Sequence, residues 1–196
     1  QKHGKAAHGI NSKRTKQLVK ETNFNEAEVS ALAIHFESIS SKVGGENVID
    51  RNQFKTALGF KDSLFLNRMF MLFDTDGDGQ INFEEFVSGI SMMCESGDFT
   101  EKVQFSFQVY DFDGDGVIAR EELVDMLKAS LSETDLDMTS EELEILVNAT
   151  LKQVAPDASE AITFDMYMSY ANANKERFQS AMTINIKQRI ARRTGA

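Results

Sequence analysis

The chain is poor in the residues that staple, break or anchor a fold. Its 196 residues include one cysteine, one proline, three histidines and no tryptophan. A lone Cys94 excludes a disulfide scaffold and fits a reducing compartment. No apolar run approaches the roughly 20 residues that cross a bilayer, so a soluble chain without a membrane span is expected. No secretory leader is read from Gln1 onward. His3, His8 and His35 are scattered and lack cysteine neighbours, which disfavours zinc. A His, Cys and Asp set or a glycine-rich phosphate loop is also missing, so the chain is not expected to be an enzyme in its own right. What is abundant, 15 Phe and 9 Met, points to an all-helical chain with a soft apolar interior.

Charge is unevenly placed. Residues 1–20 carry six bases and no acid, and residues 177–196 carry five bases and no acid. Between them lie ten bases against all 31 acids, a net of −21. An acidic body repels nucleic acid along most of its surface and attracts cations. The basic ends suit anionic lipid, an acidic protein surface, the body itself, or simply water.

Two segments nearly repeat: Asp74-Thr-Asp-Gly-Asp-Gly-Gln-Ile-Asn-Phe-Glu-Glu85 and Asp111-Phe-Asp-Gly-Asp-Gly-Val-Ile-Ala-Arg-Glu-Glu122. Helical apolar patterns flank each, so the unit is helix, twelve-residue loop, helix. The eighth loop positions are Ile81 and Ile118, and weakened copies surround Ile49 and Ile162. The Ile-to-Ile spacings are 32, 37 and 44. The Thr139-Ser-Glu-Glu142 pattern opens the helix before the last copy. Paired loops should bridge at the eighth position, Ile49 with Ile81 and Ile118 with Ile162.

Calcium wants six to eight hard oxygens at about 2.3–2.6 Å. The first strong loop offers Asp74, Asp76 and Asp78 at positions 1, 3 and 5, the Gln80 carbonyl at 7, Asn82 or a water it holds at 9, and Glu85 at 12. The second offers Asp111, Asp113, Asp115, the Val117 carbonyl and Glu122, with Ala119 giving nothing at 9. Weaker or faster-exchanging binding is therefore expected in the second. Crowded carboxylates repel one another unless a cation joins them. Gly79 and Gly116 permit the sharp turn at position 6. Glu84 and Glu121 are expected to face outward, and His35 to be a surface or core residue rather than a ligand.

The weak loops should not bind. Lys42 to Gln53 begins with a cation and ends with an amide. Ala155 to Met166 keeps only Asp157 and Ser159 as good oxygens and has no terminal carboxylate. One ion per lobe, two Ca2+ in all, follows.

The expected organisation is a basic tail (1–20), an N-terminal lobe (21–97), a C-terminal lobe (98–176) and a basic amphipathic segment (177–196). The lobe boundary falls near Cys94–Thr100, with Thr100 as a candidate helix cap. Met92, Met93, Met126, Met166 and Met168 lie on the outgoing helices and suit an adaptable apolar groove for a target helix. Phe178, Met182, Ile186 and Ile190 recur at intervals of four, an apolar stripe that either occupies that groove, runs into a partner, or packs on the second lobe.

Four such units in two paired lobes, with short antiparallel bridges between the loops, form an all-α EF-hand protein. Leu18-Val-Lys-Glu-Thr-Asn-Phe24 and Phe107-Gln-Val-Tyr-Asp-Phe-Asp-Gly114 resemble the calcineurin B and neuronal calcium sensor superfamily over roughly residues 15–185. Within it, Val48-Ile-Asp-Arg-Asn-Gln-Phe54, Asn67-Arg-Met-Phe70 and Leu146-Val-Asn-Ala-Thr-Leu-Lys152 are similar to calaxins, the calcium sensors of ciliary outer dynein arms. The loop from Lys42 is shorter than theirs, and the fourth loop is unlike a binding one. Phe107-Gln-Val-Tyr110 and Ile162-Thr-Phe-Asp165 are also similar to the EF-hand region of calcium-regulated NADPH oxidases, and the first hand resembles plant calcineurin B-like proteins. The resemblance implies a calcium sensor or adaptor that docks or regulates a protein target, axonemal or dynein-docking proteins included. The implied location is the cytoplasm, or the ciliary axoneme in the calaxin-like case. A regulatory segment of an oxidase, a kinase or phosphatase regulator, and a plain calcium buffer are the alternatives.

Overall fold

The computed structural model describes residues 12–58, 64–93, 98–134, 137–156 and 161–182. The first hand is α2 (Glu26–Ile39), a hairpin of β1 (Ser41–Val43) and β2 (Glu46–Val48), and α3 (Arg51–Leu58). The second is α4 (Leu64–Phe73), its loop, and α5 (Phe83–Met92). The third runs from α6 (Phe99–Tyr110) through β3 (Val117–Ala119) to α7 (Arg120–Thr134). The fourth runs from α8 (Ser140–Val154) through β4 (Ala161–Thr163) to α9 (Phe164–Ala173). Helices α1 (Ser12–Glu21) and α10 (Lys175–Met182) flank the set.

Local chemistry fixes where these helices begin. Asn25 caps α2 in a reciprocal box with Glu28, and Thr139 caps α8 in the same way with Glu142. The cap of α6 is Asp98, whose carboxylate accepts from Thr100 N at 2.8 Å and Glu101 N at 3.4 Å. Thr100, the expected cap, instead sits inside the first turn. A carboxylate two residues earlier meets the free N–H groups and complements the helix dipole.

The bridges fall at the expected isoleucines. Ile49 and Ile81 exchange two backbone hydrogen bonds, both at 2.9 Å. Ile118 faces Ile162 at the centre of the β3–β4 pair. All four isoleucines are buried, so each bridge joins two loops and closes one end of a core.

One core gathers Phe36, Phe54, Phe73 and Phe86, all essentially inaccessible to solvent, with Phe54 and Phe73 4.9 Å apart between ring centroids. Burying each such ring contributes about 1.5–3 kcal/mol. The other core gathers Val103, Phe107, Leu123, Val147 and Tyr167. Helix α6, which the sequence pattern assigns to the second lobe, belongs to both. Its Phe105 and Val109 lie in the first core, while Val103 and Phe107 lie in the second. Arg68 of α4 reinforces this junction, donating from Nε to the Gln108 carbonyl at 2.8 Å.

The described parts of the ends, residues 12–21 and 175–182, also differ from solvated tails. Residues 12–21 form a helix whose Leu18 is buried in the first core and whose Arg14 pairs with Glu84 of α5. Charge alone suggests a tail through residue 20, but one apolar face and one acidic partner suffice to dock it. Residues 1–11 lie outside the described set. At the other end Phe178 packs edge-on against Tyr167, centroids 5.5 Å apart, so the start of the 177–196 segment belongs to the second core. Ile186 and Ile190 lie outside the described residues, as do Asp157 and Ser159 of the fourth loop and Cys94 at the lobe junction.

Candidate metal centres

Each strong loop winds three aspartates onto one point. The carboxylate oxygens of Asp74, Asp76 and Asp78 lie within 4.8 Å of one another, and so do those of Asp111, Asp113 and Asp115. Loop backbone holds them there. Asp74 accepts from Asp78 N at 3.1 Å and Gly79 N at 2.9 Å, and Asp78 accepts from Gln80 N at 2.8 Å. In the second loop Asp111 accepts from Gly114 N at 2.8 Å and Gly116 N at 3.1 Å, and Asp115 accepts from Val117 N at 2.9 Å. Gly79 and Gly116 take φ values of 82° and 91°, where a side chain would be strained.

The closing glutamates complete each loop. Glu85 Oε1 accepts from Thr75 N and Thr75 Oγ1, both at 2.9 Å, and from Asp76 N at 3.3 Å, while Oε2 accepts from Asn82 N at 2.9 Å. Glu122 Oε1 accepts from Phe112 N at 2.6 Å and Asp113 N at 3.2 Å, and Oε2 from Ala119 N at 2.8 Å. Each carboxylate therefore spans from position 2 to position 9 of its own loop. Both sit in the first turn of the outgoing helix, α5 or α7, so each ties its loop to that helix.

Gln80 and Val117 hold position 7, Val117 already paired through β3 with Thr163. Asn82 has a task besides the one expected at position 9. Its side chain accepts from Glu85 N at 3.1 Å and caps α5. Glu84 is turned to Arg14 of α1, and Glu121 is exposed. His35 rests 6.4 Å from the Phe86 ring, away from both loops. The role of Thr75 was not evident from the motif, whose regularity concerns odd positions. Its hydroxyl could have been noticed only by comparing it with Phe112 at the same place in the second loop.

The first weak loop has a shape of its own. Ser41↔Val48, Lys42↔Asn47 and Val43↔Glu46 pair across Gly44-Gly45, whose φ values of 60° and 94° fit a two-residue hairpin turn. Chain that would have wrapped an ion is spent on strand pairing. Lys42 and Gln53, the ends of that loop, bring no carboxylate to it.

The donor set of the two strong loops is hard oxygen, crowded and anionic, and it fits a divalent calcium ion better than any softer metal. Comparison with known proteins agrees. The family described as EF hand domain matches residues 65–93, and the EF-hand domain pair matches residues 100–171. Calaxin of Homo sapiens is 35% identical over 156 residues, covering 74% of this chain and 72% of calaxin. Calcineurin B type 2 of Bos taurus is 30% identical over 146 residues, covering 74% of this chain and 83% of that protein. Calcineurin B of Candida glabrata is 29% identical over 158 residues, covering 81% of this chain and 87% of that protein. Fold, loops and relatives define a calcium-binding EF-hand protein. More narrowly, the chain belongs to the calcineurin B and neuronal calcium sensor superfamily and resembles calaxin within it. No helix among the described residues is long and apolar enough to cross a membrane.

Proposed function

We propose that this chain is a calcium sensor and adaptor that takes up two ions, one per strong loop, and transmits their presence to a protein target. The ligands are Asp74, Asp76, Asp78, the Gln80 carbonyl and Glu85 in one loop, and Asp111, Asp113, Asp115, the Val117 carbonyl and Glu122 in the other. The supporting observation is the convergence of three aspartates in each loop beneath a glutamate anchored at both ends of that loop. When bound, calcium supplies a point of charge that ties the loop's first and last carboxylates together. The chain's own part is mechanical. Glu85 and Glu122 sit in the first turns of α5 and α7, so their position over the loop sets the tilt of those helices.

The residues that would register such a tilt are in place. Met92 is half-buried against the first core, and Met126, Met166 and Met168 are half-buried against the second. A change in helix angle turns such side chains outward, where their flexible thioethers suit a target helix. We place the response in two lobes, 21–97 and 98–176, each reading one ion. The similarity to calaxin supports docking at ciliary outer dynein arms, and the similarity to calcineurin B supports regulation of an enzyme partner. A tagged chain in ciliated cells separates these, since axonemal enrichment is expected for the first and diffuse signal for the second.

The ligand assignment is tested by calorimetry. Glu85→Gln and Glu122→Gln should each lower the stoichiometry from two calcium ions to one, and two ions retained in both variants would overturn it. An apolar fluorescent dye should brighten when calcium is added. Unchanged dye signal with intact calcium uptake would make the chain a buffer rather than a sensor.

A further inference from the structure

We infer that Thr75 is a positioning residue for the first strong loop, its hydroxyl holding Glu85 in the metal-ready position and making that hand the slower to release calcium. This rests on the reading of Glu85 and Glu122 as calcium ligands. Besides position 9, where Asn82 stands opposite Ala119, the two loops differ in how their glutamates are held. Glu85 takes three donors at Oε1, of which the Thr75 hydroxyl at 2.9 Å is the only side chain. Glu122 takes two at Oε1, both backbone amides, because Phe112 occupies the matching position and its side chain has no polar atom. At Oε2 the loops are equivalent, each carboxylate accepting one amide from position 9.

A ligand that must be gathered before it binds weakens affinity by the fraction of time it is ready. Backbone amides alone cannot distinguish the two hands, since both supply them. The hydroxyl adds a charge-assisted bond that must break before Glu85 can swing away with α5. Release is therefore slowed in the first hand without any change in the ligating atoms. Thr75 as a residue is exposed and belongs to neither core, so replacing it leaves the cores intact.

The test uses the full chain with the other hand silenced and calcium release followed by mixing with a fluorescent chelator. In a Glu122→Gln background, Thr75→Val should release calcium roughly fivefold faster and bind correspondingly more weakly. Thr75→Ser, which keeps the hydroxyl, should stay within about twofold of the parent. In a Glu85→Gln background, Phe112→Thr should slow release from the second hand by a similar factor. Amide exchange of the calcium-free chain should speed up at Thr75 and Asp76 in the valine variant alone. Release from Thr75→Val at the parent rate, or from Thr75→Ser as fast as from Thr75→Val, would overturn the inference. If the parent background takes up no calcium at all, the ligand assignment itself falls.

Discussion

At the scale of single residues, Gly89 of α5 is the tightest of the described glycines. A Cβ there would lie 2.4 Å from Cε1 of Phe73, whose ring is fully buried against Phe54 and Phe105. Glycine in a helix costs about 1 kcal/mol relative to alanine, so sequence logic alone would expect Gly89→Ala to stabilise. Overpacking against a ring with no free volume costs about 1–3 kcal/mol and should win. Gly89→Ala is thus expected to lower stability by up to about 2 kcal/mol in chemical denaturation. Adding Phe73→Leu should make the pair less damaging than the two changes summed. Additivity would show that the ring is not the obstacle. The same scale explains which site residues could be read in advance. Asp74 through Glu85 and Asp111 through Glu122 are legible because ligand geometry fixes residue type at fixed spacing. Thr75 was not legible, because its effect passes through Glu85 and depends on a rotamer.

At the scale of elements, caps connect stability to pH. The Thr139 amide, then its hydroxyl, hold the Glu142 carboxyl below its ordinary value of 4.5. The bonds to Oε2 are 2.8 and 2.9 Å long. The folded state then binds the proton less readily than the unfolded chain does. The capping contribution is present above about pH 4.5 and is lost as pH falls through the lower folded value. Glu142→Ala should therefore flatten the decline of melting temperature with acid in calcium-free buffer, relative to the parent. An unchanged difference between the two proteins from pH 6 down to about pH 3 would contradict this origin. Elements also divide what the sequence revealed from what it concealed. The box at Thr139 and the pairing of Ile49 with Ile81 follow from local rules. The β1–β2 hairpin is hidden although Gly44-Gly45 signals a tight turn, because the twelve-residue register of the strong loops extends across it. Helix α1 is hidden because six bases in residues 1–20 mask the one leucine that docks it.

At the scale of the whole molecule, α6 decides how far the two hand pairs act together. Its Phe105 reaches the Phe73 ring at 6.4 Å in the first core, while Phe107 meets Tyr167 at 5.6 Å in the second. Residues two apart on a helix point to different sides, so one helix can serve two cores without strain. No local pattern announces this, since Val103, Phe105, Phe107 and Val109 read as a single alternating run. The physical consequence is that neither core can melt without loosening α6 for the other. Calcium binding to the folded state adds about 4 kcal/mol per site at a thousandfold excess over Kd, and the shared helix should distribute that gain. Heating the calcium-loaded chain in a calorimeter should accordingly give one cooperative transition. Phe105→Ala removes a buried ring from the junction at a cost of about 3–5 kcal/mol. In that variant the first core should melt at a lower temperature than the second, resolving two transitions, and only the lower one should shift when Glu85→Gln is added. A single transition that moves as a whole would mean that Arg68, through the Gln108 carbonyl, and the packing of Phe65 on Tyr110 are enough to hold the pairs together.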